Sequence, residues 1–179
     1  MRMHILAVAT ALLAGLSAAQ SNQPKRPPDV EYVPTPNPIV DAMLKLAGVQ
    51  KTDIVYDLGC GDGRIVITAA KQYGARGIGI DINPELVGEA RANAKRAGVE
   101  NLVKFEEKDL FDADIRNATV VTLYLLPDVN LKLRPKLLRD LKPGTRIVSH
   151  SYDMDDWKPE TKLNLDGRFV YLWKVPAKK

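Results

Sequence analysis

The spacing of apolar residues changes period several times after residue 38. Ile39, Met43, Leu44 and Leu46 recur at helical spacing behind Pro36 and Pro38, and Gly48 closes that segment. IVYDLG (54–59) is a short continuous apolar run ending in an acid and a glycine, the pattern of a buried strand. A helix over 64–73 ends at Gly74, and ARGIGIDI (75–82) is a second strand. Pro84 opens a helix that stops at Gly98. VKFEEKD (103–109) alternates as a strand, whereas TVVTLYLL (119–126) is a β-rich apolar run suited to a central parallel strand. Residues 129–141 read as helical, with Pro135 either kinking the helix or starting a second one. TRIVSHSY (145–152) is a fifth strand, and KLNL and RFVYLWKV flank the hairpin signal Asp166-Gly167. Strand and helix alternate and then give way to a hairpin. The expectation is an α/β fold with a mostly parallel sheet and an antiparallel edge.

The first 31 residues do not share this pattern. MRMHILAVATALLAGLSAAQ has a positive start, an apolar stretch from Ile5 to Leu16, and small residues before a cut after Ala19. That is a signal peptide over 1–19, with an apolar run too short to span a bilayer comfortably. Export to the periplasm or medium is expected; a cytoplasmic protein, or one anchored through an uncleaved leader, is the alternative. Residues 20–31 are polar and Pro-rich and read as a flexible leader that becomes extended near Tyr32. The folded domain is expected over 32–179.

Composition narrows the chemistry. A chain of 179 residues suits one domain. Its Lys and Arg outnumber Asp and Glu by 26 to 22 but are scattered, so no specific nucleic-acid partner is expected. Cys60 is the only cysteine, and after cleavage His150 is the only histidine. No internal disulfide or His/Cys metal cage can be built, and no metal is expected.

The candidate chemistry begins at VYDLGCGDGRI (55–65). A phosphate loop would end in Gly-Lys-Ser/Thr, but this one ends Gly63-Arg64-Ile65. A dinucleotide fingerprint would need glycine in place of Arg64. Asp57, at the end of the strand, would repel a diphosphate and attract a cation. Gly59, Gly61 and Gly63 let backbone approach a ligand closely, and a helix N-terminus can take a carboxylate. S-adenosylmethionine joins a sulfonium and an ammonium to a nucleoside without phosphate, and it fits. Asp81 ends the second strand, where it can accept from both ribose hydroxyls. Asp109 ends the third, where it can accept from the adenine amino group. Three acids on successive strand ends form one constellation on one rim of the sheet.

DLGCGDGR, GIDINPE and KDLF resemble the motifs of class I, seven-strand, S-adenosylmethionine-dependent methyltransferases. The resemblance implies a Rossmann-like, doubly wound sheet of order 3-2-1-4-5-7-6 with the last strand antiparallel. It also implies that Asn83 and Leu110 join Asp81 and Asp109 around the cofactor. EYVPTPNPIVDAML, VVTLYLLPDVN and LKPGTRIVSHSYDMDDWKP resemble the small protein-lysine methyltransferases that lack a SET domain, among them those acting on a ring component of ATP synthase. That similarity would lay Tyr32, Pro34, Thr35 and Pro36 over the cofactor. It implies as partner a protein with an accessible lysine.

In such an enzyme the acceptor amine would be aligned at the end of the fourth strand by Tyr124 and the backbone of Leu125, Leu126 and Pro127. Several of these residues also carry plainer readings. Tyr124 could be a core tyrosine. Asn130 could orient a substrate, although capping the following helix is the expected role. His150 is either a general base or a hydrogen-bonded neighbour of the site. Tyr152 and Trp157 either wall a lysine channel or pack under the hairpin. Cys60 is not expected to be a nucleophile, and Arg64 should pair with an acid near the loop. Lys132, Arg134, Lys136, Arg139 and Lys142 form a basic helix region, either a solvated face or a docking surface for an acidic protein or membrane. The alternatives to lysine transfer are a small-molecule N- or O-methyltransferase and an exported, non-catalytic S-adenosylmethionine- or nucleoside-binding module. A monomer is expected.

Overall fold

The computed structural model describes residues 26–177. The signal-peptide expectation lies outside the described residues. The chain runs α1 (Asn37–Leu46), β1 (Ile54–Leu58), α2 (Arg64–Tyr73), β2 (Arg76–Asp81), α3 (Pro84–Ala97) and β3 (Val103–Glu107). It continues through a 3-10 turn (Leu110–Asp112), β4 (Val120–Leu123), α4 (Pro127–Asp140), β5 (Arg146–His150), β6 (Thr161–Leu165) and β7 (Arg168–Lys174). The seven strands form one sheet of order β3-β2-β1-β4-β5-β7-β6. β1 to β5 pair in parallel, and β7 pairs antiparallel with both β5 and β6. This is the Rossmann-like order the motifs implied.

The two faces of the sheet are covered differently. On the first, Met43 and Leu44 of α1, Ile65, Val66 and Ala69 of α2, and Val87 and Ala90 of α3 pack on Val55, Phe105, Val120 and Val148. On the second, α4 presents Val129, Leu133 and Leu137 to Leu58, Val121, Leu123 and Ile147. Trp157 and Trp173 pack beside them with ring centroids 6.2 Å apart, and the Trp173 indole N–H donates to the Trp157 carbonyl at 2.7 Å. This gives Trp157 the packing role rather than a place in a lysine channel. Among the described residues no helix is long and apolar enough to cross a membrane.

Several expected boundaries move, and three matter for the site. β3 stops at Glu107, so Asp109 lies two residues beyond the strand and caps the 3-10 turn instead of ending β3. The run 119–126 is strand only as far as Leu123, so Tyr124 and Leu125 leave the sheet as free ends. α4 begins at Pro127, not 129, because proline's missing N–H costs nothing in a first turn. Asn130 therefore sits inside the helix, fully buried, and does not cap it. Its Nδ2 lies 3.4 Å from Ser149 Oγ and 3.4 Å from the Asp153 carbonyl, tying α4 to the loop after β5. Pro135 lies within one continuous helix.

Candidate active site

A cavity of about 170 Å³ opens at the carboxyl ends of the parallel strands, where the strand order reverses between β1 and β4. Its floor is the loop after β1. Gly59 N and Cys60 N donate to the Ile80 carbonyl at 2.8 and 2.9 Å, which ties the loop to β2. Gly61 has φ +53° and Gly63 φ +79°, a left-handed region that costs other residues about 1–2 kcal/mol. Space requires glycine as well. A Cβ at Gly61 would collide with the Tyr32 ring, and one at Gly63 would stand 2.6 Å from Phe105 Cε1.

The acids arrive through register. Asp57 lies opposite Thr122 in the β1–β4 ladder, and the Thr122 hydroxyl donates to its carboxylate at 2.8 Å. Asp57 is 2% exposed. Burial, with added repulsion from Asp81 and Asp62, pushes its pKa up to about 7 although the Thr122 bond opposes this. A bound cation would restore its charge. The Asp81 carboxylate accepts from Gly61 N at 2.8 Å and from Asn83 N at 2.9 Å. Asn83 caps α3 by accepting from Glu85 N at 2.9 Å. Asp109 accepts from Phe111 N at 2.9 Å and from Arg26 Nε at 2.7 Å. Arg64 donates to Asp62, as expected, and its Nη1 donates to the Thr35 carbonyl at 2.9 Å.

The other end of the cavity is aromatic. Tyr124 lines it, and its ring lies 4.0 Å from the His150 ring, centroid to centroid. His150 is 1% exposed, does not line the cavity, and has Nδ1 3.4 Å from Thr35 Oγ1. Burial, helped by the charge of Arg168, lowers its pKa to about 4, so it is neutral at physiological pH. The arrangement is that of a neighbour supporting Tyr124 rather than a base facing an acceptor.

The cavity brings together most of the expected residues. Tyr32, Pro34, Thr35, Asp57 and Gly59 line it, as do Asp81, Asn83, Asp109 and Leu110 on the β2–β3 side. Gly61 lies beneath Tyr32, Gly63 packs on Phe105, and Pro36 serves as the N-cap of α1. Leu125 lines the wall, while Leu126 is 47% exposed outside it and Pro127 begins α4. Tyr152 donates its N–H to the His150 carbonyl at 2.9 Å and stays out of the lining. Cys60 is buried and its pKa is pushed well up by burial, so it remains a thiol. Sequence reasoning missed Arg26 and Asp29, which also line the cavity. A single ion pair inside a polar, Pro-rich stretch carries no local signal.

This donor set fits S-adenosylmethionine. Glycines that a Cβ would obstruct form a close backbone floor, and a buried carboxylate without a cationic partner waits beside it. Asp57, Asp81 and Asp109 would hold the cofactor, which when bound supplies a methyl group on a sulfonium. Among the described residues no cluster of His, Cys, Asp or Glu could hold a metal.

Known proteins agree with this reading. Residues 57–161 match the model of the ANTKMT methyltransferase domain. A protein-lysine N-methyltransferase of Saccharolobus islandicus (strain REY15A) is 46% identical over 157 residues, covering 85% of this chain and 98% of the relative. The adenine nucleotide translocase lysine N-methyltransferase of Mus musculus is 40% identical over 122 residues, 68% of this chain and 53% of that one. The crystal structure of an RNA methyltransferase from Salinibacter ruber, in complex with S-adenosyl-L-homocysteine, is 60% identical. It superposes with a TM-score of 0.81, covering 82% of this chain and 96% of its own. The family is one of enzymes, so the non-catalytic binding module falls away. With a model matching more than half of the chain, and a relative this similar along nearly its whole length, the protein belongs to the ANTKMT methyltransferase-domain family and is an S-adenosylmethionine-dependent methyltransferase.

Proposed function

We propose that the protein methylates the side-chain amine of lysine in a protein substrate. The charge of the cavity carries this reading. Six acidic residues line it, Asp29, Glu31, Asp57, Asp62, Asp81 and Asp109, of which Asp57 is only part-ionised near neutral pH until a cation binds. They face three cations, Arg26, Arg64 and Lys108, and the two arginines are already ion-paired. A negative cavity draws in an ammonium and repels a polyphosphate backbone. The Saccharolobus and mouse relatives, both named for lysine transfer, support the same acceptor.

The amine's ordinary pKa is about 10.4, so it must lose a proton before attack. Leaving water beside a sulfonium favours the neutral amine, and no protein base is required. As the N–C bond forms the S–C bond breaks: the sulfur keeps the electron pair and becomes a neutral thioether, the nitrogen becomes a methylammonium that retains two protons, and the only proton released is the one lost to solvent before attack. The chain's task is alignment. Tyr124 and the backbone of Leu125–Pro127 orient the amine, Asp57 and the glycine loop hold the cationic end of the cofactor, and Asp81 and Asp109 hold its nucleoside. Neutral His150 adds no charge to repel either cation.

A second acceptor, RNA, has one observation in its favour, the name of the Salinibacter relative; the basic residues of α4 add little, since Arg134, Lys136 and Arg139 pair with Asp156 and Asp140. Incubating a lysate with enzyme and isotopically labelled S-adenosylmethionine separates the two. Label on lysine in the protein fraction is the expected result. Label confined to RNA, or to small molecules, overturns the proposal.

Export through residues 1–19 and a monomeric state complete the reading. N-terminal sequencing of fractionated protein tests the first, with intact Met1 in the cytosol overturning it. Light scattering tests the second.

A further inference from the structure

The segment before α1 crosses the cavity from one end to the other. Tyr32, Val33, Pro34 and Thr35 line it near the glycine loop, while Arg26 and Asp29 line it near Asp109. The two ends of this strap are held by interactions of unequal strength. At the α1 end Thr35 is 4% exposed, its carbonyl accepts from Arg64 Nη1 at 2.9 Å, and its hydroxyl meets His150. Midway, the Tyr32 ring covers Gly61. At the far end Val30 packs against the second core cluster, and the side-chain polar contacts run through one guanidinium. Arg26 Nε donates to Asp109 at 2.7 Å and Nη2 bridges to Asp29 at 2.8 Å. Lys108, next to Asp109 in the chain, also lines the cavity.

We infer that Arg26 is a positioning residue for cofactor retention: its pairing with Asp109 latches the strap over the nucleoside end of the cavity. This rests on the proposed placement of the nucleoside beside Asp81 and Asp109. Three observations point the same way. Arg26 and Asp109 are 83 residues apart in sequence, so their pairing closes a long loop and would not arise from local turn geometry. Arg26 lines the cavity, with part of its side chain open to solvent. The side chains of the pair are 36% and 21% exposed, and ion pairs at such exposure are weak. A contact of that size slows release without trapping the ligand. The buried Thr35 end acts as the hinge and the Arg26 end as the part that opens. Cofactor exchange can then proceed without disturbing Tyr124.

The test measures S-adenosyl-L-homocysteine release by stopped flow from the full-length protein and its Arg26→Ala and Arg26→Lys variants. Arg26→Ala should release the ligand about fivefold faster, the change that 1 kcal/mol produces. Arg26→Lys, with the charge but one donor group, should fall between. Raising salt should move the original protein toward the Arg26→Ala rate and leave that variant unchanged. Chymotrypsin cleavage after Tyr32 should be faster in Arg26→Ala, with the thermal midpoint of the ligand-free protein lowered by no more than about 4 °C. Equal release rates in protein that binds the ligand normally would overturn the latch. Failure of the original protein to bind the ligand at all would instead overturn the placement of the nucleoside.

Discussion

Along the ends of β1, β2 and β3, the cavity is built from carboxylates that already have donors. Thr122 serves Asp57, the N–H groups of Gly61 and Asn83 serve Asp81, and Phe111 N and Arg26 serve Asp109. Along the ends of β4 and β5 the construction is looser. Tyr124 rests on the His150 ring, the Thr35 contact is long at 3.4 Å, and His150 Nε2 has no partner. The first side is fixed by short, directional bonds and suits a ligand that never varies. The second is fixed by packing, which leaves an aromatic wall free to adjust to an acceptor on a large partner. Substitutions on the first side should therefore act on stability and cofactor affinity, and those on the second on rate.

At a fixed pH, the largest effect of a single substitution on stability should come from the loop itself. Gly63→Ala combines a left-handed backbone with a Cβ driven into Phe105 and should destabilise the protein by about 3 kcal/mol. Urea unfolding measures this, and a change under 1 kcal/mol would mean the loop is softer than its hydrogen bonds indicate.

Next comes a pH effect unique to the first side. The folded pKa of Asp57, about 7, lies above its ordinary 3.8. Its contribution to stability is fully present below about pH 4 and is lost as pH rises through 7, a swing on the order of 4 kcal/mol. His150 behaves oppositely, because its folded pKa of about 4 lies below 6.5. Its contribution is present above 6.5 and is lost as pH falls through 4. The two slopes oppose each other across the same window, so the ligand-free protein should show a shallow profile there. Asp57→Asn removes one slope, and the variant's thermal midpoint should drop steeply on acidification from pH 7 to 4. A variant profile parallel to the original would remove Asp57 as the titrating group.

Tyr124→Phe probes the second side. Removing the phenol oxygen while keeping the ring on His150 should lower kcat about tenfold through misalignment. Affinity for S-adenosyl-L-homocysteine, measured by calorimetry, should stay within about twofold. Loss of both together would erase the division between the sides. The smallest effect belongs outside both. Lys132→Glu on the exposed face of α4 should leave transfer to a protein acceptor within about twofold. A large loss there, measured with RNA as acceptor, would instead favour the second reading.

Much of this architecture was legible along the chain because its signals are local. Apolar period distinguishes strand from helix within a few residues, and Gly63, Gly74 and Gly98 mark helix ends where left-handed backbone is required. An acid at the end of each of three strands, one of them directly before the glycine loop, already pointed to a cationic nucleoside. The limits of local reading appear at Tyr124 and Asn130. An apolar run does not say where a strand's partner stops, and β5 pairs with β4 only as far as Leu123. The same apolar and polar symbols cannot distinguish a cap from a buried amide reaching a loop 23 residues away.

What the sequence alone determined is the order of elements, the glycine loop and the acids on the strand ends, since each depends on neighbours within a turn or a strand. Only the tertiary structure decided that Arg26 meets Asp109 across 83 residues and that Thr35 meets His150 across 115. Those pairings bring together segments whose own sequences carry no sign of each other. They form because the completed sheet places the strand ends beneath one crossing segment.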